Sequence, residues 1–253
     1  MRHAPVKQAS VKHVAPAKLT LSLRITGVLP DGYHRLDAEM VTLDLADELT
    51  FDEGDALRID GVCAEGVPVD DTNLVRRALD LCGRTASVHL HKRIPPGGGL
   101  GGGSADAAAA LRWAGCTDLA VAAMVGADVP FCLVGGRARV TGVGEAVEPL
   151  PFVARSFTLL VPPFGVDTAA AYRAWDELGA PTSSGDGAND LEPSAIRVAP
   201  ALAEWRDRLG DATGLTPRLA GSGSTWFVEG EFPGEGRIVT RSRPAGPHGA
   251  DSG

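Results

Sequence analysis

Residues 97–104 read GGGLGGGS, a run of glycines broken once by leucine and closed by serine. Glycine lacks a Cβ, so such a run can bring backbone close to a ligand and turn its N–H groups inward. The next residues, SADAAAALRWAG, have helix-forming composition, with Ser104 placed to cap the helix and Gly115 placed to end it. A helix that starts there aims the positive end of its dipole at the same point, and Ser104 adds a hydroxyl. These residue types in this order suit a phosphate. A flexible linker is the competing reading of a glycine run. A linker, however, is not entered by a strand ending at Pro95 and left by an alanine-rich helix.

The common phosphate loops do not fit. Residues 97–102 satisfy G-x-G-x-x-G trivially, and about 20 residues on, where a dinucleotide fold needs an acid after a second strand, lies the helical DLAVAAMVG. Gly-Lys-Ser/Thr does not occur, and protein-kinase signatures are absent.

The elements that must position this loop can be read from periodicity. KLTLSLRI alternates, with Leu19, Leu21, Leu23 and Ile25 on one face and Thr20, Ser22 and Arg24 on the other, as in a half-buried strand. PDGYH supplies a turn, and VTLDLADELTF alternates again, which predicts an antiparallel pair. NLVRRALDLCG has helical spacing, and SVHLHKRIP is a strand whose His89 and His91 read as solvated surface residues. GRARVTGVGEAVEPL and SFTLLVPP read as strands, DTAAAYRAWDELG and APALAEWRDRLG as helices, and PRLAGSGSTWFVEG with GRIVTRSRP as strands. Helices and strands mix without regular β-α-β alternation, which predicts an α+β fold. Prolines 149 and 151 mark an expected boundary between domains 1–148 and 149–253, and the final AGPHGADSG is expected to be disordered.

The chain has 253 residues, with 44% apolar and 22% charged, and a formal net charge of −8. That length can bury a full core, and that charge argues against nucleic acid or an anionic membrane as partner. Cys63, Cys82, Cys116 and Cys132 form no C-x-x-C pair, and no apolar run has the ~20 residues of a membrane span. The expectation is a cytoplasmic protein with a small-molecule substrate.

PPGGGLGGGSADAA resembles the central motif of the GHMP small-molecule kinases, whose loop wraps nucleotide phosphates. Two further motifs of that family have counterparts in order: APAKLTLSL near the start and LAGSGSTWF near the end. DGYH together with GADVPF resembles the branch that phosphorylates the 2-hydroxyl of a cytidine-diphosphate-linked methylerythritol in the non-mevalonate isoprenoid route. Mevalonate, homoserine or sugar phosphorylation, or a non-catalytic ligand-binding protein of the same fold, are the alternatives. The resemblance implies a two-domain fold, with a ribosomal protein S5 domain 2-like N-terminal part and ligands in the cleft between domains.

It also implies roles. Asp128 would take the proton of the substrate hydroxyl, and Lys18 would stabilise that anion and the transferring phosphoryl group. Read alone, Asp128 could simply cap the next segment and Lys18 could be a solvated surface lysine. ATP would contact Asn73 and Lys92 near the adenine, and Pro95, Gly97, Gly98, Gly99, Leu100, Gly101, Gly102, Gly103 and Ser104 around the phosphates. Tyr33 and Tyr172 would sandwich the cytosine, with His34 reading its polar edge, although Tyr172 could equally be core packing on a helix. Gly221 and Ser222 would support the substrate side. Mg2+ would bridge the phosphates, with no protein ligand assigned and Asp106 a candidate by position only. The family's A-K-x-N has Thr20 in place of asparagine, which predicts altered substrate affinity.

Overall fold

The computed structural model describes residues 11–185 and 187–246. Two long strands, β1 (Lys12–Val28) and β2 (His34–Asp52), pair antiparallel around the turn at residues 29–33. There the Gly32 N–H donates to the Leu29 carbonyl at 2.9 Å, and Gly32 has φ +86°, which explains the Asp-Gly pair. β3 (Leu57–Asp60), α1 (Leu74–Leu81) and β4 (Ser87–His91) follow, with β3 parallel to β4. Next come α2 (Gly102–Trp113), α3 (Leu119–Val125), α4 (Val129–Val134) and the hairpin of β5 (Arg137–Gly142) and β6 (Ala146–Leu150). The rest is β7 (Ser156–Leu160), α5 (Thr168–Glu177), α6 (Glu192–Val198), α7 (Leu202–Thr213), β8 (Arg218–Leu219), β9 (Trp226–Glu229) and β10 (Arg237–Arg243).

β2 organises the sheet. β1 runs along one edge, while the other is shared by β5 at Leu36–Val41, β10 at Thr42 and Leu43, and β4 at Glu48–Asp52. β10 also pairs with β7, which pairs with β9 and through it β8, so the last strand joins the two halves of the molecule. Asp44 of β2 fastens that junction by accepting from the Thr240 hydroxyl and the Arg241 N–H. The mixture of elements is α+β, as the sequence predicts, and the sheet remains open.

α2 lies in the main core beside β1, α1 and α4. Ala105, Ala107, Ala108, Ala109, Ala110 and Leu111 are all buried. Small side chains almost all round allow neighbours to close on every side, which an ordinary amphipathic surface helix would not permit.

Three expectations need correction. Lys18 and Thr20 do not lie on a solvated face; they are 5% and 2% exposed because two glycine loops cover that side of β1. Ser104 does not cap α2. The helix begins two residues earlier, with Gly101 at the cap position in the left-handed region, φ +68°. β3 and α6 carry too few residues to show a period, and the sequence reading passed over both. The tail expected to be disordered falls, from residue 247 onward, outside the described residues.

Leu43 is fully buried at the centre of β2, where β10 joins. Leu43→Ala is expected to cost about 2–5 kcal/mol of stability, measured by urea unfolding with two probes, one for each half of the sheet. Coincident loss at both probes is the expected result of a shared central strand.

Candidate active site

The glycine loop is anchored before it begins. Asp47, at the end of β2's central stretch, accepts from the backbone N–H groups of Arg93 at 2.5 Å and Ile94 at 2.9 Å. Within the loop, Gly97, Gly99 and Gly101 have φ between +68° and +75°. Close approach also excludes side chains. A Cβ on Gly99 would lie 2.5 Å from the Ala220 carbonyl oxygen, and one on Gly101 would lie 2.7 Å from Lys18 Cγ. The Leu100 side chain is buried in the core, while its carbonyl accepts the Lys18 N–H at 2.9 Å. The first helical bond of α2 is Ala105 N–H to Gly101 O, so the N–H groups of Gly102, Gly103 and Ser104 have no helical acceptor. With the dipole of a twelve-residue helix behind them, they form a ready anion site.

Lys18 sits on β1 between two register shifts, at Pro16/Lys18 and Thr20/Ser22. Bulges re-aim side chains, and here they bracket the lysine and Thr20. The Lys18 ammonium lies 3.2 Å from Asp128 Oδ2 and donates to Thr20 Oγ1 at 3.1 Å. Asp128 occupies the cap position of α4 but makes no capping hydrogen bond; its carboxylate goes to the lysine instead. Both alternatives read from local sequence, a solvated lysine and a capping aspartate, therefore fail. The Lys18 side chain is 6% exposed and that of Asp128 is 35% exposed, so solvent or a ligand reaches the carboxylate side of the pair.

The last glycine loop closes the other side. A Cβ on Gly221 would lie 3.6 Å from both Lys18 Nζ and Thr20 Oγ1. Ser222 shares a hydroxyl contact with Thr168 at 2.9 Å, and the Thr225 N–H donates to Gly98 O at 3.2 Å. Sequence reading missed the residues that hold this loop. Asn189 donates to the carbonyls of Leu219 at 2.9 Å and Gly221 at 2.6 Å. Asp190 accepts the Ile25 N–H at 2.9 Å and pairs with Arg24 at 3.1 Å. Both lie in APTSSGDGAND, a segment with no periodicity to flag them.

Near the β1–β2 turn, Tyr33 is 65% exposed. Tyr172 lies on α5. Its ring packs on His34, with centroids 4.7 Å apart and planes tilted by 30°. His34 Nε2 is 2.9 Å from Asp176 Oδ1, and because a carboxylate only accepts, Nε2 carries the hydrogen. Burial and the nearby Asp128 charge raise the Tyr172 hydroxyl above its ordinary pKa, which places it within the field of the lysine–aspartate pair.

Two residues expected at the adenine have their side chains committed elsewhere. Asn73 caps α1, accepting from the Val75 N–H at 2.9 Å and donating to the Pro68 carbonyl at 2.7 Å. Lys92 is 3% exposed and pairs with Asp47 and, at 2.7 Å, with Asp106. Asp106 is itself 2% exposed, and its Oδ2 is taken by Lys92. No cluster of three or more His, Cys, Asp or Glu that could hold a metal occurs among the described residues.

Residues 73–136 match the family described as the GHMP kinases N terminal domain. A protein of Paracoccus denitrificans named 4-diphosphocytidyl-2-C-methyl-D-erythritol kinase is 39% identical over 234 residues, covering 85% of each chain. One of the same name from Ruegeria pomeroyi is 37% identical over 254 residues, covering 90% of each. A crystal structure of 4-(cytidine 5'-diphospho)-2C-methyl-D-erythritol kinase superposes with TM-score 0.71 at 30% identity, over 92% of this chain and 99% of that one. The mevalonate kinase of Methanococcus jannaschii, at 12% identity and TM-score 0.59 over 94% of this chain and 100% of that one, shares the fold.

Gly99→Ala and Gly103→Ala make a matched pair. The first forces a side chain at φ +75° into two backbone carbonyls and is expected to cost more than about 2 kcal/mol. The second meets only Leu74 Cδ1, at 3.6 Å, and is expected to be neutral within about 0.5 kcal/mol. Chemical unfolding of both variants checks the contrast.

Proposed function

Because the chain belongs to the 4-diphosphocytidyl-2-C-methyl-D-erythritol kinase family, we propose that it transfers the terminal phosphoryl group of ATP to the 2-hydroxyl of 4-diphosphocytidyl-2-C-methyl-D-erythritol. This is the alcohol-phosphorylation step of the non-mevalonate isoprenoid route. The observation that carries the assignment of roles is the Lys18–Asp128 pair, 3.2 Å apart, open on the aspartate side and flanked by an unpaired helix N-terminus.

Asp128 is the general base. It accepts the substrate proton as the 2-hydroxyl oxygen bonds to the terminal phosphorus and the bond to the β-phosphate oxygen breaks, releasing ADP. Lys18 pairs with the Asp128 carboxylate and adds positive charge where the equatorial phosphoryl oxygens gain negative charge. Thr20 holds the ammonium in place by accepting one of its three hydrogens. The loop from Gly97 to Ser104 binds phosphates through backbone N–H groups, which orient the nucleotide without asking for side-chain charge. Pro95 and the edge of α1 near Asn73 border the nucleotide. Gly221 and Ser222 face the substrate, and Tyr33, His34 and Tyr172 bind the cytosine end, with the exposed Tyr33 ring the one free to fold over the base.

The described residues do not form a protein carboxylate cage for Mg2+. We take the ion to arrive on the nucleotide phosphates. The first part of the chain, to residue 148, carries the ATP loop and the base together with Tyr33 and His34, and residues 149–253 supply Tyr172, Gly221 and Ser222 on the substrate side. A small-molecule enzyme of this kind fits a cytoplasmic location. No helix among the described residues is long and apolar enough to cross a membrane.

ADP release by the purified protein with Mg2+ and ATP tests the reading. Turnover is expected with the cytidyl substrate and not with mevalonate, homoserine or galactose; turnover only with another alcohol would replace the substrate. Asp128→Asn is expected to lower kcat by about 10²–10⁴ with little change in the KM for ATP.

A further inference from the structure

Beneath the glycine loop lies a charged cluster that phosphoryl transfer does not use. The Lys92 ammonium bridges Asp47 and Asp106, and the three residues are 3%, 0% and 2% exposed. Two carboxylates thus share one cation away from water, and an uncompensated buried charge is costly. Asp106 Oδ1 has no hydrogen-bond partner, so one oxygen of the pair is available to carry a proton. Burial drives the same way: it raises the Asp106 carboxyl to about 8, with the Asp47 charge adding to the rise and Lys92 opposing it.

The cluster is wired to the loop from both ends. Asp47 accepts the N–H groups of Arg93 and Ile94, the residues that lead into the loop. A Cβ on Gly102 would come within 3.2 Å of Lys92 Nζ and 3.1 Å of Ile94 Cγ2, so the first residue of α2 rests on this cluster. Asp106 lies four residues further into α2, about 6 Å along the axis from the N–H groups that face the phosphates.

We propose that Asp47, Lys92 and Asp106 are positioning residues for the phosphate loop, and that Asp106 serves as a neutral carboxylic acid. The inference rests on the reading that this loop holds ATP. Lys92 ties α2 to β2, and Asp47 fixes the path of the chain into the loop. The proton on Asp106 keeps a second negative charge from standing one helical turn behind the nucleotide. The other groups that face Asp106 leave this balance intact. α4 presents the Cys132 thiol, which burial raises to about 12. α1 and α3 bury only apolar residues in this core, Val75, Ala78, Leu79, Ala122 and Val125. When Asp106 loses its proton, repulsion of the phosphates should weaken ATP binding.

The test is the affinity for ATP, measured by equilibrium binding from about pH 6.5 to about pH 9.5 on wild type and Asp106→Asn, with 13C-carboxyl NMR of the wild-type protein alongside. At about pH 7 the two proteins are expected to bind within twofold of each other. As pH rises through about 8, wild type is expected to weaken roughly fivefold relative to the variant. The NMR signal of Asp106 is expected to report a neutral acid at about pH 7, a readout that does not depend on how the variant folds. Parallel pH profiles for the two proteins, or an ionised Asp106 at neutral pH, would overturn the inference while leaving the kinase reading standing. Wild type that binds no ATP at any pH would overturn both.

A stability signature follows with the same sign. A carboxyl whose folded pKa is raised binds its proton more tightly in the folded state. Its stabilising effect is complete below the ordinary carboxylate range, is lost as pH rises toward about 8, and then stays constant. The Tm of wild type is therefore expected to fall relative to Asp106→Asn across that window.

Discussion

The ammonium of Lys18 is buried, and a buried cation is tolerated only where charge and hydrogen bonds meet it. Asp128 and Thr20 meet it here, from α4 and from β1 itself. The lysine backbone donates to Leu100 in the first glycine loop, and the last glycine loop closes over its tip at Gly221. Segments far apart in sequence must therefore be in place together before this charge is stable. The requirement explains the glycines better than flexibility does. Gly99 and Gly101 are where two loops and a lysine stem press against backbone, and any Cβ there would separate the parts that make the site.

Electrostatics follow the same economy. The chain carries a net charge of −8, yet it is built to receive a polyanion. On the proposed reading it does so with oriented backbone N–H groups at the start of α2 rather than a patch of basic side chains. Lys92, below that helix start, is held between Asp47 and Asp106 and offers the loop no free positive charge. Positive potential at the loop is left to the helix dipole and to Lys18, both fixed in position. Preorganised dipoles of this kind need little rearrangement as charge develops during transfer.

Much of this was legible in the sequence, and the omissions have physical causes. β1, β2 and the helices α2, α5 and α7 announce themselves by periodicity or composition over eight or more residues. β3 and α6 are too short to do so. The three motifs point to parts of the candidate site, but position in a motif does not say where a side chain points. Lys92 and Asn73 are singled out by motif position, and their side chains serve an ion cluster and a helix cap. Asp47 and Asp106, which hold Lys92, are separated from each other by almost sixty residues, so no local pattern could pair them. Thr20 shows the reverse case. It departs from the family's asparagine, and the structure gives it a definite task as an acceptor for Lys18.

The most direct test of the central claim is a crystal structure with a non-hydrolysable ATP analogue and the cytidyl substrate bound together. The account predicts the 2-hydroxyl within hydrogen-bonding distance, about 3 Å, of an Asp128 carboxylate oxygen, with the nucleotide phosphates seated on the N–H groups of residues 97–104. A substrate hydroxyl directed away from Asp128, or phosphates bound elsewhere than on that loop, would contradict it.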